Sequence, residues 1–184
     1  VESEVGVGTI FTVRIPVINT SSNAVTNMYT PITRIIGYSG ERLNIIVTDD
    51  DDDHCKLLFD ILQPLGFNVK IAKSAAECLS LIEKHPVDLF ILDISMQEMD
   101  GIELALLLRA KYGKKAKIIM LSANSEDDID PKLIDRPFDQ YIMKPFLHSD
   151  LLSKIQKLLN ITWTHQENNS SSLNLGSNSK DKSQ

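Results

Sequence analysis

The chain has 184 residues, 42% hydrophobic and 24% charged, with a formal net charge of −6. This is the profile of a soluble globular protein, one domain with a smaller piece or tail attached. The acidic balance argues against a broad nucleic-acid-binding face, and no apolar run approaches the roughly 20 residues needed to cross a bilayer. No basic stretch followed by an apolar one marks a signal peptide. The first residue is Val1 rather than Met, which suggests a piece of something longer. Cys55 and Cys78 form no CxxC pair and fall in helix-like segments. They read as reduced, partly buried thiols of a reducing compartment.

Along the chain, residues 1–18 are rich in Val, Ile, Thr and Gly. Thr9 to Ile15 alternates and Pro16 follows, which reads as a strand. Residues 19–40 hold Asn, Ser, Thr, Pro and Gly without a sustained period and read as a linker. Leu43 to Thr48 is an apolar run of strand length. Lys56 to Leu65 has helical spacing and stops at Gly66. Phe67 to Ala72 is a second strand. Ser74 reads as an N-cap, with Glu77 completing a capping box, and the helix ends before Pro86. Asp88 to Leu92 is a continuous apolar run, as a strand buried on both faces requires. Gly101 to Tyr112 is a helix stopped by Gly113. Lys117 to Leu121 and Tyr141 to Met143 are the fourth and fifth strands. Ser149 to Leu159 is a last helix with one leucine-rich stripe. Residues 161–184 turn to Asn, Ser, Gln and Lys and read as a disordered polar tail.

Strands alternating with helices predict an α/β fold, a doubly wound five-stranded parallel sheet with helices on both faces. Such sheets carry their sites at the carboxyl ends of the strands. There stand Asp49 and Asp50, Asp93, Ser122 and Lys144. Crowded carboxylates repel one another unless a cation lies among them, and Mg²⁺ accepts one or two carboxylates while keeping other oxygen ligands. Lys144 adds a compact positive charge and Ser122 a neutral donor. Together they would cradle a phosphoryl group, with Asp93 on the central strand as the nucleophile. Each residue alone has an ordinary reading: an Asp after a strand caps a helix or turns the chain, and Asp52 or Asp53 is expected to cap the first helix.

Five stretches carry a family resemblance: Ile45–Asp50, Asp88–Asp93, Met99–Gly101, Ile119–Ala123 and Tyr141–Phe146. In this order and with about this spacing, residues 41–160 resemble the receiver domains of two-component response regulators, a flavodoxin-like fold. The resemblance implies that Asp93 accepts a phosphoryl group from a phosphohistidine on a partner. Asp50 would bind Mg²⁺ directly, Asp49 through water, and the Ser95 backbone carbonyl would complete the metal site. Ser122 and Lys144 would hold the phosphoryl oxygens, and Tyr141 would turn inward when Ser122 moves. Three features depart from the family. Gln97 stands where a proline is usual, which would loosen the loop after the third strand. Pro131 interrupts the helix expected over Ser125 to Asp135, with Pro137 just beyond. The run Asp49 to Asp53 leaves the register of the acidic pair open.

Glu4 to Pro16, with its glycine-x-glycine-threonine, resembles the last segment of a histidine kinase ATP-binding domain. Residues 1–18 would be the remnant of that domain and 19–40 the linker of a hybrid sensor kinase. The implied partners are the histidine kinase core and a histidine phosphotransfer protein, with no nucleic acid and no membrane contact by this fragment. The expected setting is cytoplasmic, although the parent chain could be membrane-anchored. The receiver itself would be a phosphoacceptor, while the parent would be the enzyme. A competing expectation is a receiver-fold protein-binding module that no longer switches by phosphorylation. A metal-dependent phosphatase fits less well, because Ser95 stands where a general acid would be needed.

Overall fold

The computed structural model describes residues 1–6, 8–14, 34–125 and 136–166. The chain divides into two units, Val1–Ile32 and Thr33–Gln184. In the first, Glu2–Glu4 (β1) pairs antiparallel with Gly8–Ile10 (β2), and Ser3 Oγ lies 2.8 Å from Thr9 Oγ1. Gly6 and Gly8 have φ of 83° and 139°, so the two glycines turn the chain where a side chain would be strained. The strand expected over Thr9 to Ile15 is shorter than its alternation suggested. It pairs only as far as β1 reaches; residues 11–14 form no strand, and Ile15 lies outside the described residues.

The second unit runs Ile35–Ser39 (β3), Asn44–Thr48 (β4), Asp52–Leu62 (α1), Asn68–Ala72 (β5), Ala75–Ile82 (α2), Leu89–Asp93 (β6), Gly101–Tyr112 (α3), Ile118–Ser122 (β7), Gln140–Met143 (β8), His148–Leu159 (α4) and Thr162–His165 (β9). The expected doubly wound fold is present: five parallel strands in the order β5-β4-β6-β7-β8. Alternate residues of each strand face opposite sides. Ile45, Val47, Leu89, Ile91, Ile119 and Leu121 meet Leu58, Leu62, Leu151 and Ile155 of α1 and α4. Ile46, Phe90, Leu92, Ile118 and Met120 meet Cys78, Ile82, Leu104 and Leu108 of α2 and α3. The middle strands β6 and β7 are buried along their whole length, which is why their sequences are unbroken apolar runs.

Helix starts follow local chemistry. Ser74 Oγ accepts from the Glu77 amide at 3.2 Å, but the reciprocal carboxylate bond goes to the Lys73 amide. Asp100 and Glu103 form a complete capping box on α3. Gly101 begins that helix against the backbone of β6, where an added Cβ would collide with the Asp93 carbonyl. At the other end of α3, Arg109 pairs with Asp139 at 2.7 Å and donates to the Pro137 carbonyl at 2.9 Å. The expected irregular helix over Ser125 to Asp135 falls on residues 126–135, which lie outside the described residues.

The linker and tail assignments need correction. β3 comes from the expected linker and β9 from the expected disordered tail, and the two pair antiparallel, with Tyr38 opposite Trp163. Trp163 is buried. Tyr38 stacks on Phe67 at 4.5 Å between centroids, and Trp163 meets both rings edge-on. The Tyr38 hydroxyl accepts from the Leu43 amide at 2.8 Å. Neither strand has enough local signal to be read alone; their pairing depends on segments more than a hundred residues apart. Trp163→Ala should destabilise the domain by about 3 kcal/mol, read as a lower urea midpoint with the sheet otherwise intact.

Both cysteines are free and buried, in line with the expected reduced thiols. Burial pushes the Cys78 thiol from 9.0 up to about 11. The folded thiol therefore keeps its proton to higher pH than the unfolded one. Its contribution to stability is complete below about pH 9 and is lost as pH rises toward about 11. The urea midpoint should fall across that window, and the fall should be smaller in Cys78→Ala. At pH 8 neither thiol of the native protein should react with an alkylating reagent until urea is added.

Candidate functional site

β4 and β6 lie side by side, but the chain leaves β4 toward β5 on one flank and continues from β6 toward β7 on the other. Crossovers that diverge in this way leave a crevice at the carboxyl ends of the two strands. The register sets Thr48 opposite Leu92, so Asp49 and Asp93 emerge beside each other. Both are buried, at 1% and 6% exposure, while Asp50 is exposed at the mouth. One carboxylate oxygen from each of Asp49, Asp50 and Asp93 can be chosen so that all lie within 4.8 Å of one another.

Two buried carboxylates at this spacing need a counter-charge. Lys144 supplies it from the end of β8. Its Nζ donates to Asp93 Oδ1 at 2.6 Å and to Asp49 Oδ2 at 3.0 Å. Burial alone would lower the ammonium's pKa, but the bonds to Asp93 and Asp49 outweigh it and hold the pKa above the ordinary 10.5. Asp93 Oδ2 accepts from the Ser95 amide at 2.8 Å, and Asp49 Oδ1 accepts from the Asp51 amide at 2.9 Å. Every carboxylate oxygen of the buried pair thus has a donor.

The run of five aspartates divides by position. Thr48 ends β4, Asp49 and Asp50 face the crevice, and Asp51 caps α1 by accepting from the Asp53 and His54 amides. Those two amide bonds hold the Asp51 carboxyl below its usual range. The cap is therefore Asp51 rather than Asp52 or Asp53, which occupy the first turn, where the helix dipole favours acidic side chains.

Ser122 ends β7, and its Oγ accepts from the Asn124 amide at 3.0 Å. Tyr141 is already turned inward, and its hydroxyl donates to the Asn124 carbonyl at 2.6 Å. One residue, Asn124, thus bonds both side chains, a link that the sequence did not reveal. The backbone ties β8 to β7 as well, with the Lys144 amide on the Ser122 carbonyl at 2.6 Å, and the Lys144–Pro145 peptide is cis. The loop that Gln97 was expected to loosen is bonded to itself: Met96 to Ile94, Met99 to Gln97 and Gly101 to Ile94, with Glu98 at φ 66°. His54 was also missed. It follows the acidic run on the first turn of α1, and its Nδ1 stands 3.0 Å from Lys144 Nζ and 3.2 Å from Asp49 Oδ2. Its partner Lys144 lies 90 residues further along the chain, so no local spacing marks the contact.

A family model described as response regulator receiver domain matches residues 45–156. The DNA-binding response regulator MtrA of Mycobacterium tuberculosis is 32% identical over 119 residues, covering 64% of this chain and 51% of MtrA. The transcriptional regulatory protein CpxR of Escherichia coli is 32% identical over 127 residues, 68% of this chain and 53% of CpxR. The chain thus spans about half the length of these two relatives. Among solved structures, the response regulator TrrA of Thermotoga maritima, in complex with Mg²⁺ and BeF, matches with a TM-score of 0.58 and 35% identity. That match covers 64% of this chain and 99% of TrrA.

These relatives correct one expectation and weaken another. The expected partners include no nucleic acid, yet MtrA is DNA-binding and CpxR regulates transcription. A net charge of −6 describes the field around this chain and does not decide what a protein carrying such a domain acts on. Nor do relatives that are response regulators support the hybrid kinase setting read from residues 1–18. Among the described residues, no helix is long and apolar enough to cross a membrane. With the fold, the acidic crevice and the match over residues 45–156, the chain carries the receiver domain of a two-component response regulator and belongs to the response regulator receiver domain family.

Proposed function

We propose that Asp93 accepts a phosphoryl group from a phosphohistidine donor in a Mg²⁺-dependent transfer. The observation that carries this reading is Lys144 Nζ, 2.6 Å from Asp93 Oδ1 and 3.0 Å from Asp49 Oδ2, beside an acidic crevice at the carboxyl edge of the sheet. An Asp93 oxygen would attack phosphorus as the phosphorus–nitrogen bond of the donor breaks, the electron pair leaving on the donor imidazole. In such transfers the protein contributes mainly position and charge.

The residues present fit a hard cation. Asp49, Asp50 and Asp93 offer carboxylate oxygens within reach of one ion, and the Ser95 carbonyl is the fourth oxygen candidate. When bound, Mg²⁺ offsets the charge of the carboxylates and of the phosphoryl oxygens. Lys144, already charged and aimed at Asp93, would pair with one phosphoryl oxygen. Ser122 Oγ accepts a bond in this structure and so still has its own proton to donate to a second one. A shift of Ser122 toward the phosphoryl group would pull on the Asn124 amide and, through the Asn124 carbonyl, on Tyr141. For the whole protein, the names of MtrA and CpxR favour an output that reaches DNA.

Incubated with Mg²⁺ and a small-molecule phosphodonor, the chain should gain the mass of one phosphoryl group. Asp93→Ala should abolish the gain, and chelation of the metal should prevent it. Lys144→Ala should slow it at least tenfold, on the order of 1.4 kcal/mol or more of lost transition-state stabilisation. A wild-type chain that neither gains mass nor binds beryllofluoride would overturn the assignment, as would a modification that survives in Asp93→Ala.

A further inference from the structure

The Lys144 ammonium has three protons and no lone pair. Two of them reach carboxylates, Asp93 Oδ1 at 2.6 Å and Asp49 Oδ2 at 3.0 Å. The third neighbour is His54 Nδ1, at 3.0 Å. The ammonium can only donate, so a hydrogen bond at that distance runs from Nζ to Nδ1. The nearby Asp49 Oδ2, 3.2 Å from the same nitrogen, accepts a hydrogen bond from Lys144. The three protons of the ammonium therefore face three acceptors, two carboxylate oxygens and one imidazole nitrogen.

The placement is built into the fold. His54 lies on the first turn of α1, and its amide donates to Asp51 Oδ1 at 3.1 Å, so the cap of the helix also fixes the base of this side chain. Lys144 comes from the far side of the crevice, at the end of β8, on a long flexible stem. The imidazole is 44% exposed and the Lys144 side chain only 16% exposed.

We propose that His54 is a positioning residue for Lys144, its Nδ1 holding the third ammonium proton so that Nζ stays aimed at Asp93 through phosphoryl transfer. The proposal rests on the phosphoacceptor reading of Asp93. In the resting site the two carboxylates hold the ammonium by charge. Once Asp93 carries a phosphoryl group and Asp49 shares its charge with a cation, both attractions change. The imidazole nitrogen is neither the phosphoryl acceptor nor a carboxylate, so it keeps the stem in place while those two attractions change.

The test uses the whole chain as wild type, His54→Leu, His54→Asn, Lys144→Ala and the His54→Leu/Lys144→Ala double variant, each checked for folding by circular dichroism. Beryllofluoride with Mg²⁺ probes the phosphorylated state. His54→Leu should weaken its binding about tenfold, the size expected for a lost hydrogen bond to a charged group. His54→Asn, whose side-chain oxygen lies near the place of Nδ1, should recover affinity to within roughly threefold of wild type on the same scale. In the Lys144→Ala background, His54→Leu should have no further effect. The Lys144 ammonium cross-peak in ¹⁵N–¹H spectra should be sharp in wild type, broadened in His54→Leu and sharp again in His54→Asn. Unchanged affinity in His54→Leu, an equal loss in both Lys144 backgrounds, or a cross-peak indifferent to His54 would each overturn the proposal. If wild type fails to bind beryllofluoride, the Asp93 reading falls, and the cross-peak alone decides whether His54 holds Lys144.

Discussion

The balance between the Lys144 ammonium and the Asp49 and Asp93 carboxylates governs the carboxyl edge of the sheet. Two nearly buried carboxylates side by side would be strongly unfavourable without a cation, and the parallel register of β4 and β6 forces them together. Lys144 reaches them only because β8 lies beyond β7 in the same sheet, its amide bonded to the carbonyl of Ser122. The apolar layers on the two faces have a structural role, and they also fix the register that makes the crevice acidic.

Around that balance, some groups satisfy the charge and others tie the neighbouring elements together. The Ser95 and Asp51 amides complete the shells of Asp93 and Asp49. Asn124 joins Ser122 to Tyr141 through its two backbone groups, two hydrogen bonds carried by one residue. The close approach of Gly101 to the Asp93 carbonyl seats α3 directly on the loop after β6. The loop carrying Gln97 is bonded at both ends, with no proline needed to shape it.

The β3–β9 pair shows how flanking segments become part of a domain. Tyr38, Phe67 and Trp163 form one aromatic cluster, packed on the face that α1 and α4 cover. The cluster is built from a segment before the sheet, a strand-end residue and a segment after the last helix. The Gln166 amide on the Arg34 carbonyl extends the pairing by one more bond.

The sequence by itself determined the parallel sheet, the order of its elements and the identity of the charged groups at its edge. Those features rest on local signals: unbroken apolar runs for β6 and β7, helical spacing for α1 and α4, and acidic residues directly after strands. Tertiary structure alone decided which aspartate caps α1, where the third proton of Lys144 goes, what joins Ser122 to Tyr141, and that Trp163 belongs to the core. The last three depend on contacts between elements distant in sequence, and the cap depends on which of several identical neighbours meets the free amides of the first turn. Asp49, Asp50 and Asp51 are one letter in the sequence. In the fold they are a buried partner of Lys144, an exposed carboxylate at the mouth of the crevice, and a helix cap.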